Sequence, residues 1–97
     1  MKYDVYKITI DGTTRYVGYT GDLKQRQNQH NRLYKIGKKK ILYNNLRRRN
    51  YEGELNLEVI KTFTTKVRAK RYECYLILKD YFTKNELWQR VPRITDI

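Results

Sequence analysis

An Asp-Gly pair at positions 11–12 separates two runs rich in β-branched residues and tyrosine, residues 3–10 and 15–20. Asp and Gly accept the positive φ angles of a tight turn, so such a pair between two such runs marks a β-hairpin. Side chains alternate along a strand with period 2, and the loop length therefore decides which residues share a face. A two-residue turn over Asp11-Gly12 pairs Ile10 with Thr13 and puts Tyr6 and Tyr16 on opposite faces. A three-residue loop, Asp11-Gly12-Thr13, pairs Ile10 with Thr14 and brings both tyrosines to one face. The second register is the expected one, because it lets the two phenols act together.

Residues 16–30, Tyr-Val-Gly-Tyr-Thr-Gly-Asp-Leu-Lys-Gln-Arg-Gln-Asn-Gln-His, lead from the second strand through a glycine turn into a helix. Asp22 is its expected N-cap, since Asp accepts a bond from the first free backbone N–H groups. Over a helix of roughly residues 22–34, Leu23, Arg26, Gln27, His30, Leu33 and Tyr34 fall on one face. An arginine and the only histidine thus share a side with the apolar anchors. A solvated helix keeps such residues on its other face, so something on the inner side requires a charge.

A basic loop, residues 35–40, is broken by Gly37 and leads to a second helix of about residues 41–49. Ile41, Leu42 and Leu46 are expected to pack inward, with Arg47, Arg48 and Arg49 at the negative end of the helix dipole. After a turn at Gly53, residues 55–63 read as a third strand, with Leu55, Leu57, Val59 and Lys61 on one face. Thr64 or Thr65 then caps a long helix, residues 66–82. Its centre, residues 72–78, is apolar nearly all round and is expected to be well buried. Glu73 is the single charge inside that run. A buried carboxylate without a partner costs several kcal/mol, so it must pair, protonate, bind a metal or face a cleft. The tail from Thr83, with Asn85, Trp88 and Pro92, shows no clear pattern.

Charge points to the partner. The chain has 22 Lys and Arg against 10 Asp and Glu, a net charge of +12. Between Asp22 and Glu52 there is no acid, whereas Lys24, Arg26, Arg32, Lys35, Lys38, Lys39, Lys40, Arg47, Arg48 and Arg49 all fall there. Ten of the twelve net charges therefore come from 29 residues. A single-sign field of that size draws polyanions and speeds their encounter, and the asparagines within it can add neutral contacts to phosphate or bases. An anionic membrane fits less well, because the segment lacks a strong face of Trp, Phe and Leu. No run of about 18 apolar residues is present to cross a bilayer, and the N-terminus lacks the apolar stretch of a signal peptide. Cys74, the lone cysteine, cannot form a disulfide within the chain and reads as a small buried hydrophobe in a reducing compartment. The expectation is a cytoplasmic, nucleic-acid-binding chain whose 97 residues form one domain.

Gathered together, Tyr6, Tyr16, Arg26, His30 and Glu73 make the chain resemble a GIY-YIG nuclease domain. The first signature strand stands here as Asp4-Val5-Tyr6 and the second as Tyr16-Val17-Gly18. Arg26 and His30 follow at the family's helical spacing, and Ala69 and Glu73 match the small residue and the glutamate of its later helix. The resemblance covers roughly residues 3–82. It departs at Asp4, where the family has glycine, and at Val5, where it has isoleucine. Asn85 is the nearest candidate for the family's final asparagine. A further basic or histidine position after the first helix falls among Lys38, Lys39 and Lys40.

The resemblance implies an α/β domain, a small three-stranded and mainly antiparallel sheet flanked by helices. It implies a metal-dependent DNA endonuclease using Mg²⁺ or Mn²⁺. Tyr6 would be the general base, with Tyr16 helping to hold the water. A free phenol, with a pKa near 10, is a poor base at neutral pH, so Arg26, the metal or the basic field is expected to lower that of Tyr6. Arg26 would stabilise the phosphate through its fixed fork of donors. His30 would bond the phosphate or assist the leaving group, and Glu73 would hold the metal. Lys24, Arg32, Lys35, Lys38, Lys39, Lys40, Arg47, Arg48 and Arg49 are the expected DNA contacts. With one active site, cutting both strands requires a homodimer, two sequential nicks or a partner protein that also supplies specificity. The alternative is an inactive nucleic-acid-binding module on the same fold.

Overall fold

A computed structural model describes residues 1–92. The elements follow in the order β1 (Tyr3–Ile10), β2 (Thr13–Thr20), α1 (Leu23–Lys35), α2 (Ile41–Arg48), β3 (Leu57–Phe63) and α3 (Lys66–Phe82). The sheet runs β2-β1-β3 and both pairings are antiparallel.

The hairpin departs from expectation in its device and keeps to it in its register. Asp11 and Gly12 have φ of 51° and 83°, the signs a tight two-residue turn requires. Ile10 accordingly pairs with Thr13, not with Thr14. The ladder then shifts: Thr9 faces Thr14, while Ile8 faces Tyr16. Arg15 is the extra residue of a β-bulge. One residue inserted there does what one more loop residue would have done. Beyond the bulge Tyr6 lies opposite Gly18, and the two tyrosines share a face.

That face carries Tyr6, Ile8 and Ile10, packed against Leu42, Tyr43 and Leu46 of α2 and against Leu55 and Leu57. Leu23, Leu33 and Tyr34 of α1 border the same cluster. On the other face Val5 and Val17 meet Ala69 and Ile77 of α3. The sheet is thus a middle layer with α1 and α2 on one side and α3 on the other.

Three packing expectations are corrected. Ile41 stays 46% exposed, and Tyr43 takes the inward position beside Leu42 and Leu46. In α3 only Ala69, Cys74 and Ile77 are buried, while Tyr75 is 55% exposed. Its apolar outer side has no further layer among the described residues to cover it. In β3 a second shift, between Val5 and Tyr6 on the partner strand, sets Lys61 opposite Val5 and Val59 opposite Tyr6. Lys61 therefore leaves the face of Leu57 and lays its ammonium over Phe63 and Tyr72. Val59 remains 42% exposed on this edge strand.

Residues 86–90 run along the outer edge of β2. The Trp88 N–H donates to the Arg15 carbonyl at 2.6 Å. The Gln89 amide takes the Val17 N–H at 2.6 Å and donates to the Val17 carbonyl at 2.8 Å. The Arg15 and Arg49 guanidiniums both pack over the Trp88 ring, 4.4 and 4.8 Å from its centroid. An edge that would otherwise offer unpaired backbone groups is closed.

Candidate active site

Tyr6, Tyr16, Arg26 and Glu73 line one cleft of about 400 Å³, together with Tyr3, Gly18, Tyr19, Thr20, Gly21 and Lys66. Four of the five residues singled out in the sequence thus converge from β1, β2, α1 and α3. The convergence has local causes. The bulge at Arg15 turns Tyr16 to the side of Tyr6, and their rings lie 6.3 Å apart at 28°. The turn into α1 is fixed by the Asp22 side chain, which accepts the Gln25 N–H at 3.1 Å, and by Thr20, whose hydroxyl bonds Asp22 backbone atoms. This aims the second turn of α1, with Arg26, at the sheet. Ala69, fully buried against Val5 and Val17, lets α3 approach closely, and Glu73 follows one turn later.

Gly18 has a specific reason to be glycine. A Cβ there would stand 2.5 Å from the Tyr6 hydroxyl and 3.1 Å from Cε1 of Tyr16. The Tyr6 ring occupies the space that any side chain at this position would need.

His30 is not on the cleft wall. It is 2% exposed, with Nε2 2.9 Å from the Tyr6 hydroxyl and Nδ1 2.7 Å from the Tyr43 hydroxyl. Both ring nitrogens are engaged, so the expected contact with phosphate is replaced by a place behind Tyr6. Burial pushes its pKa down to about 4, and Lys40 and Arg26 act in the same direction. The imidazole is therefore neutral at pH 7.

Tyr6 also departs from expectation. Burial drives its pKa far above the ordinary phenol value, and Tyr16 and Glu73 add to the rise, while Arg26 opposes it. Desolvation of the phenolate outweighs the arginine. Tyr43 is likewise pushed up to about 12, chiefly by burial. Glu73 is raised to about 7, again by burial first, with Lys70, a backbone bond from Tyr19, Arg26 and Lys40 working against it. The only ion pair among the described residues joins Lys7 to Glu58, so Glu73 has no salt bridge.

The basic residues divide. Lys24, Arg32, Lys35, Lys38, Lys39 and Arg48 are exposed. Lys40 instead belongs to the site: its ammonium donates to the Tyr16 hydroxyl at 3.0 Å and lies over the Tyr16 and Tyr43 rings. Arg47 donates to the carbonyls of Lys38 and Tyr34 and to Asn44, and so ties the loop between α1 and α2. Arg49 packs on Trp88. Asp4 accepts the Thr62 hydroxyl at 2.6 Å across the ladder and stands apart from the cleft. Asn85 is an exposed turn residue with φ of 50°, and the amide that reaches β2 is that of Gln89.

Lys66 was not singled out in the sequence. The signal was its spacing: it stands seven residues before Glu73, on the same helical face as Ala69.

The donor set suits a divalent cation. Glu73 brings one hard oxygen ligand into the cleft, and no salt bridge among the described residues engages it. No cluster of three or more His, Cys, Asp or Glu residues exists among the described residues. An ion here would be held by one carboxylate and completed by water and phosphate, as Mg²⁺ accepts.

Two phenols from a thin sheet, with an arginine and a lone carboxylate from the helices on its two sides and exposed cations beside them, define a small α/β domain with a polar cleft. The GIY-YIG catalytic domain matches over residues 2–85, and the chain belongs to that family, a family of nucleases. No curated protein and no solved structure matches it. No helix among the described residues is long and apolar enough to cross a membrane.

Proposed function

We propose that this chain is a metal-dependent endonuclease that hydrolyses phosphodiester bonds in DNA. The observation that carries the reading is the convergence of Tyr6, Tyr16, Arg26 and Glu73 on a single cleft. Each then has a role matched to its chemistry. Arg26 offers a fixed fork of donors to the phosphate oxygens, where charge grows in the transition state. Tyr6 takes the proton of the attacking water at its hydroxyl oxygen. To do so it must first give its own proton to solvent in the cleft that it lines, and positive charge there lowers the cost of that loss. Tyr16, held by Lys40, helps to position the water. Glu73 would hold a divalent cation, which when bound would supply Lewis acidity for the leaving 3′ oxygen and favour the phenolate of Tyr6. Lys66 at the rim, and Lys24, Arg32 and Lys35 on the outer side of α1, take the flanking phosphates.

Plasmid cleavage with Mg²⁺ or Mn²⁺, with and without EDTA, tests the reading against Glu73→Ala. Metal-dependent nicking or linearisation, lost in the variant, supports it. DNA that is retarded and uncut by both proteins, on linear, supercoiled and branched substrates, favours an inactive binding module.

A further inference from the structure

A neutral imidazole carries one N–H, so one ring nitrogen donates and the other accepts. In His30 the two nitrogens face two phenols, Tyr6 at 2.9 Å from Nε2 and Tyr43 at 2.7 Å from Nδ1. Which nitrogen holds the proton decides whether His30 gives a hydrogen bond to Tyr6 or takes one from it. The distances alone are symmetric in this respect. The surroundings of the two phenols are not.

Tyr43 is fully buried, and among the described residues its hydroxyl has one hydrogen-bond partner, Nδ1 of His30. If Nδ1 carried the proton, the Tyr43 hydroxyl would accept, and its own hydrogen would be buried without an acceptor. An unmade buried donor is the costly kind. Tyr6 is placed differently: it lines the cleft, where its hydroxyl hydrogen can turn toward water or ligand. The groups facing the imidazole are Tyr6 from β1, Tyr16 from β2 with its ring edge-on at 5.2 Å, Arg26 on the same helix, Lys40 and Tyr43. Both charged groups are cationic and favour the neutral ring. Neither accepts a hydrogen bond from it.

We infer that Tyr43 is a positioning residue of the nuclease site: its hydroxyl donates to Nδ1 of His30, confines the imidazole proton to Nε2, and so keeps a donor aimed at the Tyr6 oxygen. A donor on that oxygen favours the phenolate form of Tyr6 over the phenol. In the opposite tautomer Nε2 would be bare and would accept the Tyr6 hydrogen, turning it away from the cleft and strengthening Tyr6's hold on it. No proton crosses His30 in this scheme. The imidazole is a fixed donor, and Tyr43 makes it one. The catalytic consequence rests on the nuclease reading above, whereas the tautomer does not.

His30 is the chain's only histidine, so long-range ¹H–¹⁵N correlation on the ¹⁵N-labelled, metal-free full chain reads one imidazole without assignment. The expected wild-type spectrum shows Nε2 protonated and Nδ1 bare. Tyr43→Phe removes only the hydroxyl and should populate the Nδ1–H tautomer. It should also lower kcat on DNA by about tenfold, equivalent to about one unit in a pKa, with KM unchanged and the backbone spectrum retained. An Nδ1–H tautomer in the wild type overturns the inference. So does an unchanged tautomer in a folded Tyr43→Phe protein, or a changed tautomer with kcat intact. Should the variant fail to fold, the wild-type tautomer alone decides. If the chain cuts no DNA with any divalent metal, the nuclease reading falls, while the spectra still judge the hydrogen-bond assignment.

Discussion

Tyr6 and Gly18 are cross-strand partners in the β1–β2 ladder, and the phenol of one fills the space above the α-carbon of the other. The tyrosine of the first signature can reach the cleft floor only because the second signature ends in glycine. Gly18→Ala would set a methyl 2.5 Å from the Tyr6 hydroxyl and must displace the ring. The expected cost is about 1–3 kcal/mol in stability with loss of cleavage. Gly21→Ala is the control, since its methyl would meet Tyr3 no closer than 3.5 Å. Thermal melts and plasmid cleavage of the two variants should separate cleanly.

Metal affinity should depend on pH through Glu73. Its pKa of about 7 means that proton and cation compete for the carboxylate near neutrality. Affinity for Mg²⁺ should fall by up to about tenfold for each pH unit below 7 and level off above it. Isothermal titration at several pH values measures this, and a flat profile between pH 5 and 8 would remove Glu73 as the ligand. Glu73→Gln should abolish metal binding and cleavage.

Arg26 should matter more to the rate than to binding. Arg26→Ala is expected to lower kcat by about 10²–10³-fold, with DNA affinity changed far less, because the exposed cations remain. Arg26→Lys keeps the charge and loses the fork, so it should recover only part of the rate. Single-turnover cleavage alongside filter binding tells these apart.

Acid stability should report on His30. Its folded pKa of about 4 lies below the ordinary imidazole value of 6.5, so folding favours the neutral ring. The stability it contributes is complete above pH 6.5 and is lost as pH falls toward 4, by on the order of 3 kcal/mol. Glu73 acts with opposite sign, because its raised pKa favours folding as it protonates below about 7. The His30 slope is therefore best read in the Glu73→Gln background, by chemical denaturation between pH 4 and 7.

The arginines of α2 and the cations of α1 should separate by salt dependence. Lys24→Ala, Arg32→Ala or Lys35→Ala should each reduce the slope of log K against log salt by about 1. Arg47→Ala should leave the slope nearly unchanged and lower the melting temperature, since its guanidinium is spent on the carbonyls of Lys38 and Tyr34. Fluorescence anisotropy on a short duplex between 50 and 200 mM salt provides the slopes.

Local information in the chain was enough for the elements and for naming four residues that line the candidate cleft. Asp22 and Thr65 cap α1 and α3 as their side chains dictate, and the 3.6-residue period alone sets Leu23, Arg26 and His30 on one face. Tyr6, Tyr16, Arg26 and Glu73 could be named from motif order because each is fixed to a short element of known geometry. What tertiary structure decided was which atoms meet. The bulge at Arg15 replaced a longer loop, since both insert one residue and only packing chooses between them. The ladder shift in β3 moved Lys61 to the far face of the sheet. His30 went behind Tyr6 because Tyr43, thirteen residues away in the chain, arrives there only when α2 docks. Burial then raised the Tyr6 pKa against the pull of Arg26, and desolvation is a property of the packed molecule that no residue carries by itself. Sequence set the chemistry available; packing set which proton is held, by whom, and how tightly.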